Sequence, residues 1–179
     1  MAAVRQRCGD EPMVIMGVDP GLNATGYGFL DTGGGRLCVL AAGDIRPPRA
    51  RPLQERLGII RDGLAALMSR YRPEAVALEQ LFTHHAHVTT AALMGHARGA
   101  ACLAVRDHGV PLAEYPPTHV KRALSGHGHA SKEQVARMVG QWIGCTDPSW
   151  SVDATDALAL AVVHAHTVAQ RRHLPAGMA

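Results

Sequence analysis

MVIMGVDPG, residues 13–21, is an apolar run that ends in an acidic residue, Asp19. A short apolar run of this kind predicts a buried β-strand, here over residues 13–19. A carboxylate at the end of a core strand must be paired, hydrogen-bonded or bound to metal, because bare burial costs several kcal/mol or forces the group to take up a proton. The stretch therefore predicts the first strand of the fold and an acidic site at its end.

Two further apolar segments carry acids in the same way. Glu79 ends the run of residues 75–78, and Asp153 and Asp156 open the segment of residues 157–163. The last two are three positions apart, so on a helix they share a face in the first turn, where the helix dipole favours negative charge. Either one alone is typical of a helix cap, but capping does not explain Asp19 and Glu79. Three segments that each bring acid to an element end predict one convergent site.

The rest of the chain alternates strand and helix signals after an antiparallel start. A second strand is predicted over 25–30, and the turn TGGG at 32–35 leads into a third over 36–42. Leucine and isoleucine at spacings of 4, 3, 4 and 3 predict a helix over 53–70. The later elements are a strand at 74–79, a helix at 87–107, a strand at 110–115 that Pro116-Pro117 ends, a capping-box helix from Ser131 to about Ile143, and a helix at 152–169.

The predicted order is βββαβαβαα, which is typical of an α/β fold. We expect a five-stranded mixed sheet in which the first three strands are antiparallel and the fourth and fifth parallel, with helices on both faces. Small residues fill the predicted helix 87–107, so another helix can approach it closely. They fit either packing within the chain or a dimer seam.

The composition is that of one ordinary globular domain. The chain has 179 residues, of which 47% are hydrophobic and 18% charged. No apolar stretch approaches the roughly 18 residues that span a bilayer, and charged residues interrupt residues 1–12, where a signal peptide would lie. We expect a cytoplasmic protein without membrane contact, folded over residues 13–170, with a disordered N-terminal tail (1–12) and a C-terminal tail (171–179).

The cysteines and basic residues narrow the chemistry. Four cysteines are widely spaced and never form Cys-x-x-Cys, which argues against a zinc site and against a disulfide scaffold. The histidine-rich loop 84–87 therefore fits a polar loop that meets phosphate better than a zinc site.

Sixteen of the 18 basic residues are arginine. Both lysines, Lys121 and Lys132, fall in one polar stretch with Arg122, which indicates either a solvated basic face or a nucleic-acid contact.

Oxygen-only ligands such as these four carboxylates suit Mg²⁺ or Mn²⁺. Two such ions would activate water and stabilise the leaving oxygen of a phosphodiester, a reaction that needs no nucleophilic side chain. No serine or cysteine lies in a nucleophile motif. Phe82 follows Glu79 closely in a polar stretch, where an aromatic ring either folds into the core or stacks on an unpaired base. These features predict a metal-dependent nuclease.

In combination and order, the motifs of the chain resemble those of the RuvC family of Holliday-junction resolvases, from about residue 13 to residue 166. They are GVDPG at 17–21, TGYG at 25–28, LEQLF at 78–82, ARG at 97–99 and DATDALA at 153–159. The resemblance implies a ribonuclease-H-like fold and a homodimer. It also implies two active sites that face symmetry-related strands of a four-way DNA junction, and a partner in the RuvA–RuvB branch-migration complex.

The resemblance further implies roles for particular residues. The catalytic and metal-binding set, with two Mg²⁺ or Mn²⁺ ions per active site, would be Asp19, Glu79, Asp153 and Asp156. Phe82 would stack at the junction centre. Lys121 and Lys132 would lie near the scissile phosphate and the DNA backbone, and we expect Arg122 beside them to bind DNA as well. The products would be paired symmetric nicks with 5′-phosphate and 3′-hydroxyl ends.

Two other functions fit parts of the sequence. GVDPG is also typical of the phosphate-binding hairpin in actin-like and sugar-kinase ATPases, but those folds need two such halves and 179 residues supply one. A non-catalytic DNA-binding relative is the second alternative. Such a protein would have no reason to keep all four acids.

Overall fold

The computed structural model describes residues 12–81 and 88–173. Five strands form one sheet: β1 (Val14–Asp19), β2 (Thr25–Asp31), β3 (Cys38–Ile45), β4 (Ala75–Glu79) and β5 (Leu112–Tyr115). Their order across the sheet is β3-β2-β1-β4-β5. The β1–β2 and β2–β3 pairs are antiparallel, and the β1–β4 and β4–β5 pairs are parallel. The predicted mixed sheet is confirmed.

Helices cover both faces of this sheet, as predicted. They are α1 (Leu53–Tyr71), α2 (Val88–Asp107), α3 (Pro117–Ser125), α4 (Lys132–Ile143) and α5 (Val152–His173), and a 3₁₀ turn (Gly33–Gly35) joins β2 to β3. Side chains alternate along β1, so Ile15 packs in the core under α3, α4 and α5, whereas Met16 packs under α1 and α2. No helix within the two described ranges is both long and apolar enough to cross a membrane.

The sequence interpretation missed one helix, α3. It took Pro116-Pro117 as the end of a strand and placed no element in the polar stretch that follows. Proline is well tolerated at the first helical position, because its missing N–H has no partner there in any helix, and α3 begins at Pro117. Gly126 ends the helix in the left-handed conformation, with φ 83°. The order is therefore βββαβαβααα.

The largest differences from the predicted element boundaries are at the ends of β3 and α5. β3 continues to Ile45, three residues past the predicted end, which brings Asp44 into the sheet. α5 continues to His173 rather than ending near residue 169. Residues 1–11 and 174–179 lie outside the described residues, so most of both predicted tails remains a prediction.

Glycines on β1 and β2 let α5 rest directly on the sheet. A Cβ added to Gly17 would meet three backbone atoms of Ala157 and Ala161 at 3.0 Å or less. One added to Gly26 would meet three backbone atoms of Asp153 and Ala154 equally closely. Gly17 of the GVDPG motif and Gly26 of the TGYG motif are therefore needed for packing, and this packing sets the first turns of α5 beside the end of β1.

Candidate active site

Strand register brings three chain segments to one edge of the sheet. β1 and β4 are parallel neighbours in which Val18 pairs with Leu78, so Asp19 and Glu79 emerge side by side at the same end. Asp19 on β1 pairs with Gly26 on β2, and the first turn of α5 packs against Gly26. The structure thus brings the acids of β1, β4 and α5 together, as predicted from their positions at element ends.

Burial and mutual repulsion make this cluster unfavourable for negative charge. Burial, followed by the charges of Glu79, Asp156 and Asp153, raises the pKa of Asp19 to about 7. Burial and the charge of Asp156 raise the pKa of Glu79. Burial and the charge of Asp44 raise the pKa of Asp153, against the lowering effect of Arg46. The positive charges of the protein near these three carboxylates therefore do not balance their negative charge.

The chemistry of this donor set suits a divalent cation. All four side chains offer oxygen, the ligand atom that Mg²⁺ and Mn²⁺ prefer, and their mutual repulsion is relieved by positive charge. Among residues 12–81 and 88–173, no three ligand-type side chains are close enough to enclose an ion. The carboxylates stand around the site within electrostatic range of one another. The residues that would hold an ion are Asp19, Glu79, Asp153 and Asp156.

Helices α3 and α4 bring the two lysines to the acids. Lys132 Nζ lies 2.8 Å from Asp156 Oδ2, and this hydrogen bond raises the pKa of Lys132. The charge of Lys121 acts on Glu79, lowering its pKa. Arg122 is exposed on α3 and has no ion pair within the described part of the chain. The predicted capping box of α4 is present, with Ser131 as its N-cap, and it fixes the helix start that carries Lys132.

Phe82 and the histidine-rich loop 84–87 lie outside the described residues. The stacking role of Phe82 therefore stays a prediction.

Sequence reasoning missed three residues beside Asp153. Asp44 on β3 accepts hydrogen bonds from Ser151 and Arg46, at 2.6 Å and 2.8 Å. Arg46 lies 3.7 Å from Asp153 Oδ2. The strand register connects Asp44 to the site. Asp44 pairs with Gly26, and Gly26 pairs with Asp19, so all three lie in one row across the sheet. Because the predicted third strand ends at residue 42, the sequence prediction does not include Asp44 in this row.

Arg98, in the ARG motif of α2, ties the ends of two strands together. Its Nη2 donates to the carboxylate of Glu114 on β5, and its Nη1 lies 3.5 Å from the backbone carbonyl of Glu79. The side chain of Arg98 is largely buried. It supports the backbone from which the Glu79 carboxylate projects.

Comparison with known proteins assigns the chain to a family. The family model described as crossover junction endodeoxyribonuclease RuvC matches residues 15–164. A relative of that name from Bradyrhizobium diazoefficiens is 44% identical over 155 residues, 87% of each chain. One from Halorhodospira halophila is 48% identical over 153 residues, covering 85% of this chain and 89% of the relative.

A solved structure gives the same answer. The RuvC of T. thermophilus in complex with Holliday junction substrate is 36% identical, with a TM-score of 0.82 over 89% of this chain and 97% of the other. This likeness confirms the predicted ribonuclease-H-like architecture. The chain belongs to the RuvC family of crossover junction endodeoxyribonucleases.

Proposed function

We propose that this chain is a structure-specific endonuclease that resolves four-way DNA junctions by paired, symmetric nicks on opposing strands. The observation that carries the proposal is the convergence of four carboxylates and Lys132 at one end of the sheet, in a chain of the RuvC family. A relative with 36% identity is solved in complex with Holliday junction substrate. Family members as a class are metal-dependent nucleases, and the oxygen donors here agree with that.

The proposed metal-binding set is Asp19, Glu79, Asp153 and Asp156, holding two Mg²⁺ or Mn²⁺ ions per active site. Bound divalent ions would supply a more acidic water and charge neutralisation at the scissile phosphate. In their ionised form, the carboxylates would hold these ions beside the scissile phosphate. Attack of water at phosphorus with cleavage of the bond to O3′ leaves 5′-phosphate and 3′-hydroxyl ends.

We propose that Lys132 contacts substrate in this reaction. Its ammonium is already at the acid cluster through Asp156, and its side chain is 67% exposed, so it can exchange that partner for a phosphate oxygen. Lys121, one helix away, adds positive charge on the Glu79 side. We propose Lys121, Lys132 and Arg122 as backbone contacts and Phe82 as the ring that stacks at the junction centre.

We propose that the active form is a homodimer, because two opposing strands require two active sites. On α2, Ala97, Ala101 and Ala104 are buried against the rest of the chain. The neighbouring Gly95, Gly99 and Leu103 instead line an open apolar groove of about 320 Å³ between α1 and α2. Leu103 is 53% exposed there. The buried alanines account for packing within the chain, and the open groove is the face that we propose for the dimer seam.

Sedimentation tests the dimer directly. Leu103→Asp should give a monomer that still folds, and Leu40→Asp is the matched control, since Leu40 is 42% exposed on the edge strand β3. A stable wild-type monomer at working concentration contradicts the proposal. From the family resemblance we also propose the RuvA–RuvB branch-migration complex as partner, and we propose the cytoplasm as location.

The experiment that tests the function compares a four-way junction with a linear duplex of the same sequence, each with Mg²⁺ or Mn²⁺. Cutting of the junction alone is the expected result. Equal cutting of both substrates would contradict the proposal of a junction resolvase, although the protein would still be a nuclease. Binding without cutting in either metal would favour the non-catalytic relative.

A further inference from the structure

A carboxylate on β3 holds the first turn of α5. The Ser151 hydroxyl donates a hydrogen bond to Asp44 Oδ1 at 2.6 Å and accepts one from the backbone N–H of Ala154 at 3.0 Å. The backbone N–H and the hydroxyl of Thr155 both donate to the Ser151 carbonyl. Ser151 therefore caps the helix that carries Asp153, and Asp44 fixes the cap.

The other oxygen of Asp44 holds a cation beside Asp153. Arg46 Nη2 donates to Asp44 Oδ2 at 2.8 Å and lies 3.7 Å from Asp153 Oδ2. The side chain of Asp44 is 12% exposed, whereas that of Arg46 is 59% exposed. Asp44 is thus a shielded anchor, and Arg46 is a cation at the open rim whose place depends on that anchor.

We propose that Asp44 is a positioning residue for the reaction. By accepting hydrogen bonds from Ser151 and Arg46 at once, it sets both the first turn of α5 and the cation next to Asp153. Through them it sets the direction of the Asp153 carboxylate. The inference rests on the proposed function, since it takes Asp153 as one of the metal-binding acids. Residues that orient metal ligands typically change metal affinity or activity by about 10- to 100-fold when they are removed.

Two substitutions separate the two contacts of Asp44. Asp44→Ala removes both. Asp44→Asn keeps an oxygen that can accept from Ser151 but turns an amide donor towards Arg46, so it breaks only the second contact. Asp31→Asn is the matched control: Asp31 also lies in the sheet and accepts a backbone N–H, from Gly33 at 2.8 Å, but at the opposite end of β2.

Each variant is measured in two ways. Mn²⁺ affinity is followed without DNA by the electron paramagnetic resonance signal of free Mn²⁺, and kcat and KM are measured on a four-way junction. We expect Asp44→Ala to weaken Mn²⁺ binding and to lower kcat by about 10-fold or more, with KM nearly unchanged. Asp44→Asn should have a smaller effect of the same kind. Asp31→Asn should match the wild type in both measurements even if its Tm falls.

A double substitution tests whether Asp44 acts through Arg46. Asp44→Asn combined with Arg46→Gln should lose no more than either change alone, because two residues that act as a unit are not additive. Arg46→Lys should recover part of what Arg46→Gln loses.

Two results would overturn the proposal. One is an Asp44→Ala protein with a lower Tm but with the Mn²⁺ affinity and kcat of the Asp31→Asn control. The other is full additivity of Asp44→Asn and Arg46→Gln. Failure of the proposed function would show in the wild type, which would then leave junctions uncut. The Mn²⁺ measurement would still decide the role of Asp44.

Discussion

The ammonium group of Lys132 lies 2.8 Å from the Asp156 carboxylate, so the acid cluster already holds one cation of the protein's own. The charge of Lys132 also acts on Asp19, Glu79 and Asp153, where it offsets part of the rise in pKa that burial causes. A divalent ion bound at these acids would therefore compete with this ammonium for the same negative charge. We propose that metal binding would release Lys132 towards substrate.

Lys132→Met should separate metal binding from cleavage. At pH 8, above the pKa of about 7 of Asp19, loss of the competing cation should tighten Mn²⁺ binding by a factor of about 2–5. Cleavage of a junction should slow by roughly 100-fold, because the phosphate loses a donor. Arg137→Met, which removes an exposed cation from the same helix, is the control. Weaker Mn²⁺ binding in Lys132→Met, with Arg137→Met unchanged, would contradict the competition.

Asp19→Asn and Glu79→Gln should abolish cleavage and leave junction binding intact. Both acids would hold metal, and both repel phosphate. Their removal should therefore lower the cleavage rate without weakening the affinity for DNA. We expect cleavage rates to fall by about three orders of magnitude or more, with an electrophoretic mobility shift on junction DNA equal to that of the wild type. Glu133→Gln, an exposed acid on α4, is the control. Parallel loss of binding and cleavage in a folded protein would count against this role.

The raised pKa of Asp19 predicts a pH-dependent stability in metal-free protein. The group titrates near 7 in the folded chain and near 3.8 when unfolded. Between these values the folded state keeps a proton that the unfolded state has lost, so the contribution of Asp19 to stability falls as pH rises and is constant above about 7. Glu79 acts in the same direction.

Thermal unfolding in the presence of a chelator checks this. The stability of Asp19→Asn relative to the wild type should increase from pH 4 to pH 7 by on the order of 1–3 kcal/mol and then level off. Mn²⁺ binds the ionised form, so its stabilising effect on the wild type should grow over the same range. A difference between the two proteins that is independent of pH would contradict the shifted pKa.

Gly26→Ala should displace α5 from the sheet. The added methyl group meets backbone atoms of Asp153 and Ala154, which cannot rotate away, so the helix must move. We expect a loss of about 1–3 kcal/mol in unfolding free energy, together with slower cleavage. In Gly58→Ala, where a Cβ meets nothing within 4 Å on a helix, a gain of about 0.5–1 kcal/mol is expected. Wild-type stability in Gly26→Ala would refute the close packing.

The sequence was sufficient to predict which acids meet wherever an acid ends a continuous apolar run. Asp19 and Glu79 lie at strand ends, and parallel pairing of β1 with β4 follows from the intervening helix, so their meeting was predictable. To place Asp153 and Asp156 together, it was enough to predict that a helix begins near residue 152. The match of these positions to family motifs then supplied the substrate.

The same reasoning failed where local signals had two meanings. Pro117 both ends the extended segment and begins α3, and the sequence interpretation used only the first property. Asp44 and Ser151 are 107 positions apart, and their hydrogen bond depends on where α5 lands on Gly26. Contacts of that kind depend on packing between elements, which no periodicity in the chain encodes.

Cleavage of a mobile four-way junction, mapped on all strands at nucleotide resolution with Mg²⁺ and with Mn²⁺, tests the central claim most directly. We predict paired nicks at symmetric positions on two opposing strands, re-ligatable as expected for 5′-phosphate and 3′-hydroxyl ends, with the matching linear duplex left largely intact and with no cleavage by Glu79→Gln. Unpaired nicks spread over all four strands, or equal cutting of the linear duplex, would contradict it.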